Sequence, residues 1–85
     1  MQNKILIVVE QFKTTDKIIA KLEKSGYLID ICHTADEVIS TFRCGIYVLV
    51  ILDLDLDNTD SFRLSEKIRD LDNNTIIFFL IGSRR

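Results

Sequence analysis

The sequence predicts an α/β domain: an open parallel sheet with helices on both faces. Three observations carry this. Short apolar runs alternate with amphipathic stretches in the order βαβαβαβ. Two of the runs, Ile5–Val9 and Tyr47–Leu52, are apolar without interruption, as strands buried on both faces require. The chain has 85 residues, no Pro and three Gly, which leaves room for one domain and no linker.

Taken in order, Ile5–Val9 is the first strand. Thr15 or Asp16 can cap a helix whose Ile18, Ile19 and Leu22 share a face, and Gly26 supplies a left-handed stop. Leu28–Cys32 is strand-like but carries Asp30, which suits a sheet edge. Thr34 and Glu37 stand at capping-box spacing before Ala35, Val38, Ile39 and Phe42, with Gly45 closing the unit. Tyr47–Leu52 follows. A third helix begins near Thr59 or Asp60, carries Leu64, Ile68 and Leu71, and is broken at residues 72–74, Asp-Asn-Asn. Ile76–Ile81 is the last strand. With Asp30 at an edge, the uninterrupted runs inside and right-handed crossovers, the strand order is 2-1-3-4.

Composition narrows the function. A hydrophobic content of 47% argues against disorder, and a net charge of −2 offers no nucleic-acid footprint. The apolar runs are too short to span a bilayer, and no signal peptide is visible. Cys32 and Cys44, without a CxxC, fit reduced thiols in a cytoplasmic protein. Neither a GxGxxG nor a P-loop lysine is present. His33 has no second His or Cys at ligand spacing and reads as a solvated or locally bonded imidazole. Lys17, Lys21 and Lys24 form a solvated basic face, and Phe62, Phe78 and Phe79 read as core.

The chemistry concentrates where buried strands stop. In an open parallel sheet the ligand site lies beyond the carboxyl ends of the strands, where the chain reverses direction across the sheet. Here that point joins Glu10, after the first strand, to Asp53, after the third. Paired carboxylates there suit a hard divalent cation. Asp55 and Asp57 continue the acidic run into a loop and read as solvated. Three features count against an EF-hand loop: its sixth position would be Asn58 in place of Gly, its twelfth Leu64 in place of Glu, and a strand precedes it.

These residues resemble the receiver domain of two-component response regulators, whose fold is flavodoxin-like. The resemblance rests on "KILIVVE", "KLEKSGYLIDICHTADEVISTF", "YVLVILDLDLDNTDSFRL" and "TIIFFLIG" and runs over the whole chain. It implies a receiver-like domain over 1–85, incomplete at its C-terminus because the family's final α-β-α is lacking. It implies a phosphorelay signalling switch, not an enzyme, in which Asp53 accepts a phosphoryl group from a histidine kinase or phosphotransfer protein. Mg²⁺ would be held by Glu10, Asp53 and the backbone carbonyl of Asp55. Receivers carry two adjacent acids where this chain has Val9 and Glu10, so Mg²⁺ binding should be weak or absent. Where the family ends its fourth strand in Thr or Ser, this chain has Ile81, with Ser83 two residues on; Arg84 and Arg85 are the cations nearest the family's missing Lys. Two other readings stay open: a degenerate receiver acting only in protein interaction, and a small flavodoxin-like enzyme or cofactor carrier. An apolar last strand at an open edge and an uncovered sheet face also predict a homo-oligomer.

Overall fold

The computed structural model of the chain describes residues 3–10, 15–56 and 59–81. Strands β1 (Lys4–Val8), β2 (Leu28–Cys32), β3 (Tyr47–Asp53) and β4 (Ile76–Leu80) alternate with helices α1 (Asp16–Lys24), α2 (Ala35–Thr41) and α3 (Ser61–Leu71). All strand pairings are parallel, and the sheet order is β2-β1-β3-β4, as predicted. The unbroken apolar runs, β1 and β3, occupy the centre because side chains on both of their faces must leave water.

Alternation along β1 divides the core. Leu6 and Val8 face one side and pack with Val50 and Leu52 of β3, Val38 of α2, and Leu64 and Ile68 of α3. Ile5, Ile7 and Val9 face the other side, where Ile19 and Leu22 of α1 cover them. Two helices therefore cover one face and α1 the other.

Local signals fix the element ends. Asp60 caps α3: its Oδ1 accepts the amides of Phe62 (3.1 Å) and Arg63 (3.2 Å), two of the four donors a helix start leaves unpaired. Gly26 (φ 98°) and Gly45 (φ 82°) adopt the left-handed conformation that side chains with a Cβ resist. Of the two cap candidates for α1, Thr15 stands at the cap but makes no side-chain cap bond, and Asp16 is the first residue of the helix.

Asp30 sits on the edge strand as expected, and its carboxylate has partners. It accepts from the Tyr47 hydroxyl at 2.6 Å and pairs with the Lys4 ammonium at 3.2 Å. The Tyr47 bond, aided by Lys4, holds the Asp30 carboxyl below the usual carboxylate range against a smaller opposing effect of burial. Burial, with Asp30 beside it, pushes the Tyr47 phenol up.

The three phenylalanines depart from the core reading. Phe62 is 61% exposed, Phe78 58% and Phe79 37%. Phe62 and Phe79 keep each other's company, with ring centroids 5.0 Å apart. The cause is the position of β4: it is an edge of the sheet, and no described strand pairs beyond it. Ile76 is likewise 51% exposed, and with Leu22, Tyr27, Val48, Leu49 and Phe78 it lines an apolar cleft of about 200 Å³ between α1 and β4.

Candidate functional site

Parallel pairing brings the carboxyl ends of β1 and β3 to one rim of the sheet. Val8 pairs with Leu52. One residue further along each chain stand Val9 and Asp53, and the next after Val9 is Glu10. Asp53 is the last residue of β3 and is fully buried; Glu10 is half-buried. The sequence expectation that these two acids share a rim therefore matches the backbone register.

The Asp53 side chain is oriented locally. Its Oδ1 accepts the Asp55 amide at 2.9 Å, an Asx turn that bends the chain out of the strand. Asp55 itself is exposed, as the loop reading expected, and Leu56 turns back into the core. The Asp53 backbone is held from two sides. Its carbonyl accepts the buried Ser61 hydroxyl at 2.7 Å, and the next residue, Leu54, donates its amide to the Leu80 carbonyl at 3.0 Å. The first residue of α3 and the last of β4 thus both brace the end of β3.

The β1 exit is braced as firmly. The Val9 amide donates to the Cys32 carbonyl at 3.0 Å, and the Val9 carbonyl lies 3.0 Å from His33 Nδ1. His33 is thus bonded across 24 residues of sequence, not solvated or locally bonded as its neighbourhood in the sequence predicted. The α2 cap also differs in detail. Thr34 Oγ1 accepts the Glu37 amide (3.1 Å) as a capping box requires, but the Glu37 carboxylate reaches the His33 amide (2.6 Å), one residue before the cap. Nothing local in the sequence marks Ser61 or His33, because each bond joins elements that only the folded sheet brings together.

Of the remaining candidate residues, Ile81 follows β4 and is 77% exposed, with no hydroxyl to offer. Asp57, Ser83, Arg84 and Arg85 lie outside the described residues. Among the described residues, the carboxylates after β1 and at the end of β3, Glu10 and Asp53, offer oxygen donors at this rim. That chemistry fits a hard cation such as Mg²⁺, which is commonly held by one or two carboxylates with phosphate and water completing the shell. Among the described residues, no group of three or more His, Cys, Asp or Glu is placed to hold a metal ion. No described helix is long and apolar enough to cross a membrane.

No family model matches the chain. It is 35% identical over 75 residues to hybrid signal transduction histidine kinase B of Dictyostelium discoideum, an alignment that takes in 87% of this chain and 4% of that protein. In three dimensions it superposes on the non-phosphorylated HemR receiver domain of Leptospira biflexa. The TM-score is 0.84 at 26% identity, over 96% of this chain and 68% of that one. The chain shares the receiver-domain fold. A second receiver-type match is a chain in the crystal structure of histidine kinase ThkA with response regulator TrrA. It has a TM-score of 0.80 at 26% identity over 100% of this chain and 72% of that one.

Proposed function

We propose that this chain is a receiver module of a phosphorelay, with Asp53 as its phosphoryl acceptor. The observation that carries the reading is the placement of Asp53 as the last residue of β3, beside the β1 exit that bears Glu10. A histidine kinase or phosphotransfer protein is the donor; its class is supported by the kinase complex among the structural neighbours and by the hybrid kinase relative. In the reaction a carboxylate oxygen of Asp53 bonds to phosphorus as the bond to the donor imidazole nitrogen breaks. The module is a switch and not a turnover enzyme.

A carboxylate is a weak nucleophile, so placement and charge neutralisation dominate the chemistry. Glu10, Asp53 and the Asp55 carbonyl would hold Mg²⁺, which neutralises the charge gathering on the phosphoryl oxygens. The protein's own contributions are specific. The Asx turn orients Asp53, and Ser61 fixes the peptide that carries it. Asp53 is 0% exposed, so a donor reaches its carboxylate only after the groups packed against it shift.

That burial, together with Ile81 in place of a hydroxyl residue, favours a second reading: a degenerate receiver that works as an interaction or dimerisation module through the apolar edge of β4. Titration with Mg²⁺ and beryllium fluoride, followed by amide chemical shifts, separates the two. The phosphoacceptor reading expects saturable shifts around residues 53–56 that vanish in Asp53→Asn. Spectra unchanged at millimolar Mg²⁺ with the fluoride would refute it and leave the interaction module.

A further inference from the structure

We propose that His33 is a positioning residue for Glu10, an assignment that rests on the receiver reading of the acidic rim. The geometry supplies the chain of contacts. Both polar groups of Val9 are engaged by consecutive residues at the end of β2: its amide donates to the Cys32 carbonyl and its carbonyl accepts from His33 Nδ1, each at 3.0 Å. The Val9 carbonyl belongs to the same rigid plane as the Glu10 amide and Cα, because the peptide bond does not rotate. Fixing the direction of that oxygen therefore fixes the N–Cα bond of Glu10, the point from which its side chain starts.

The imidazole is itself anchored. The His33 amide donates to the Glu37 carboxylate at 2.6 Å, and the Glu37 amide is held by Thr34 Oγ1 at 3.1 Å. The cap of α2, the His33 ring and the β1 exit form one connected unit that ends at Glu10. A carbonyl only accepts, so Nδ1 carries a proton, in the neutral ring or in the imidazolium. Removing a hydrogen-bond partner of a ligating side chain itself commonly changes metal affinity about 10–100-fold, and His33, which acts one peptide further back through the Val9 carbonyl, belongs at the lower end of that range.

The test measures Mg²⁺ affinity of the 85-residue chain from amide shifts of residues 53–56, together with the melting temperature, for wild type and three variants. Asn at position 33 keeps an N–H donor at the δ position; Gln moves it one bond outward; Ala deletes it. His33→Ala and His33→Gln are expected to weaken Mg²⁺ by about tenfold, and His33→Asn to restore binding close to wild type. A purely structural role would lower the melting temperature of the Ala and Gln variants with Mg²⁺ affinity unchanged, and that result overturns the assignment. Nitrogen-15 correlation spectra of the wild-type ring are expected to show a proton on Nδ1; a neutral ring protonated only at Nε2 also overturns it. Wild type that binds no Mg²⁺ brings down the receiver reading, and this inference with it, whereas wild type that binds alongside an unaffected His33→Ala brings down this inference alone.

Discussion

Replacing Ser61 by Ala tests the brace behind the candidate acceptor. The Ser61 hydroxyl is buried and donates to the Asp53 carbonyl at 2.7 Å, joining the first turn of α3 to the last residue of β3. A neutral buried hydrogen bond contributes about 1 kcal/mol net, and an acceptor stripped of its donor in a dry site costs about 1–3 kcal/mol. Ala is the better helix former by a few tenths of a kcal/mol, which offsets a small part. The expected loss is therefore about 1–2 kcal/mol. A domain of this length has a total stability of roughly 4–13 kcal/mol, so the change is easily measured. It corresponds to a fall in melting temperature of about 4–15 °C. Urea and thermal denaturation followed by far-ultraviolet circular dichroism give both numbers, and an unchanged m-value would show that the unfolded state is not involved. A Ser61→Ala protein that melts within a degree of wild type, or above it, would refute the reasoning: the hydroxyl would then contribute nothing to holding Asp53.

Asp60→Ala removes the acceptor of two amides in the first turn of α3 and should cost about 1 kcal/mol, read from the urea midpoint. Acid stability should reflect two carboxylates held below their ordinary range: Asp30, chiefly by the Tyr47 hydroxyl, and Asp72, chiefly by the Gly45 amide and then the Asn74 amide. Both lose their proton more readily folded than unfolded, so their contribution is present above the ordinary value near 3.8 and disappears as pH falls through the lower folded values. The urea midpoint should hold from neutral pH to about 5 and then decline; Tyr47→Phe should flatten part of that decline, and a slope unchanged by it would count against the Asp30 assignment.

The sheet order was readable because two kinds of residue speak unambiguously about position. The unbroken apolar runs of β1 and β3 demand an interior place, and Asp30 demands an edge; few right-handed arrangements satisfy both. The rim followed from the same logic, since parallel strands end together and Glu10 and Asp53 stand where two of them end. Phe62, Phe78 and Phe79 were not readable. An apolar pattern states that a side chain gains by leaving water but not which surface receives it, and beside β4 the described residues supply no covering layer. The bonds from Ser61 to Asp53, His33 to Val9 and Tyr47 to Asp30 were hidden for another reason. Each spans 8, 24 or 17 residues and exists only once strand register is set. Single polar residues carry no periodicity that would announce such partners.

The opposite rim of the sheet holds a different set of clamps. Asp72 ties the turn before β4 to Gly45 in the turn before β3, Thr75 donates to the Tyr47 carbonyl, and Tyr47 reaches Asp30. None of these groups lies at the end that bears Glu10 and Asp53. Tolerance to substitution should therefore be polarised along the strand axis. Changes at the amino-terminal rim would alter how long the molecule survives heat or acid while leaving the acidic rim untouched, so an engineer seeking a hardier version has a whole end of the sheet in which to work.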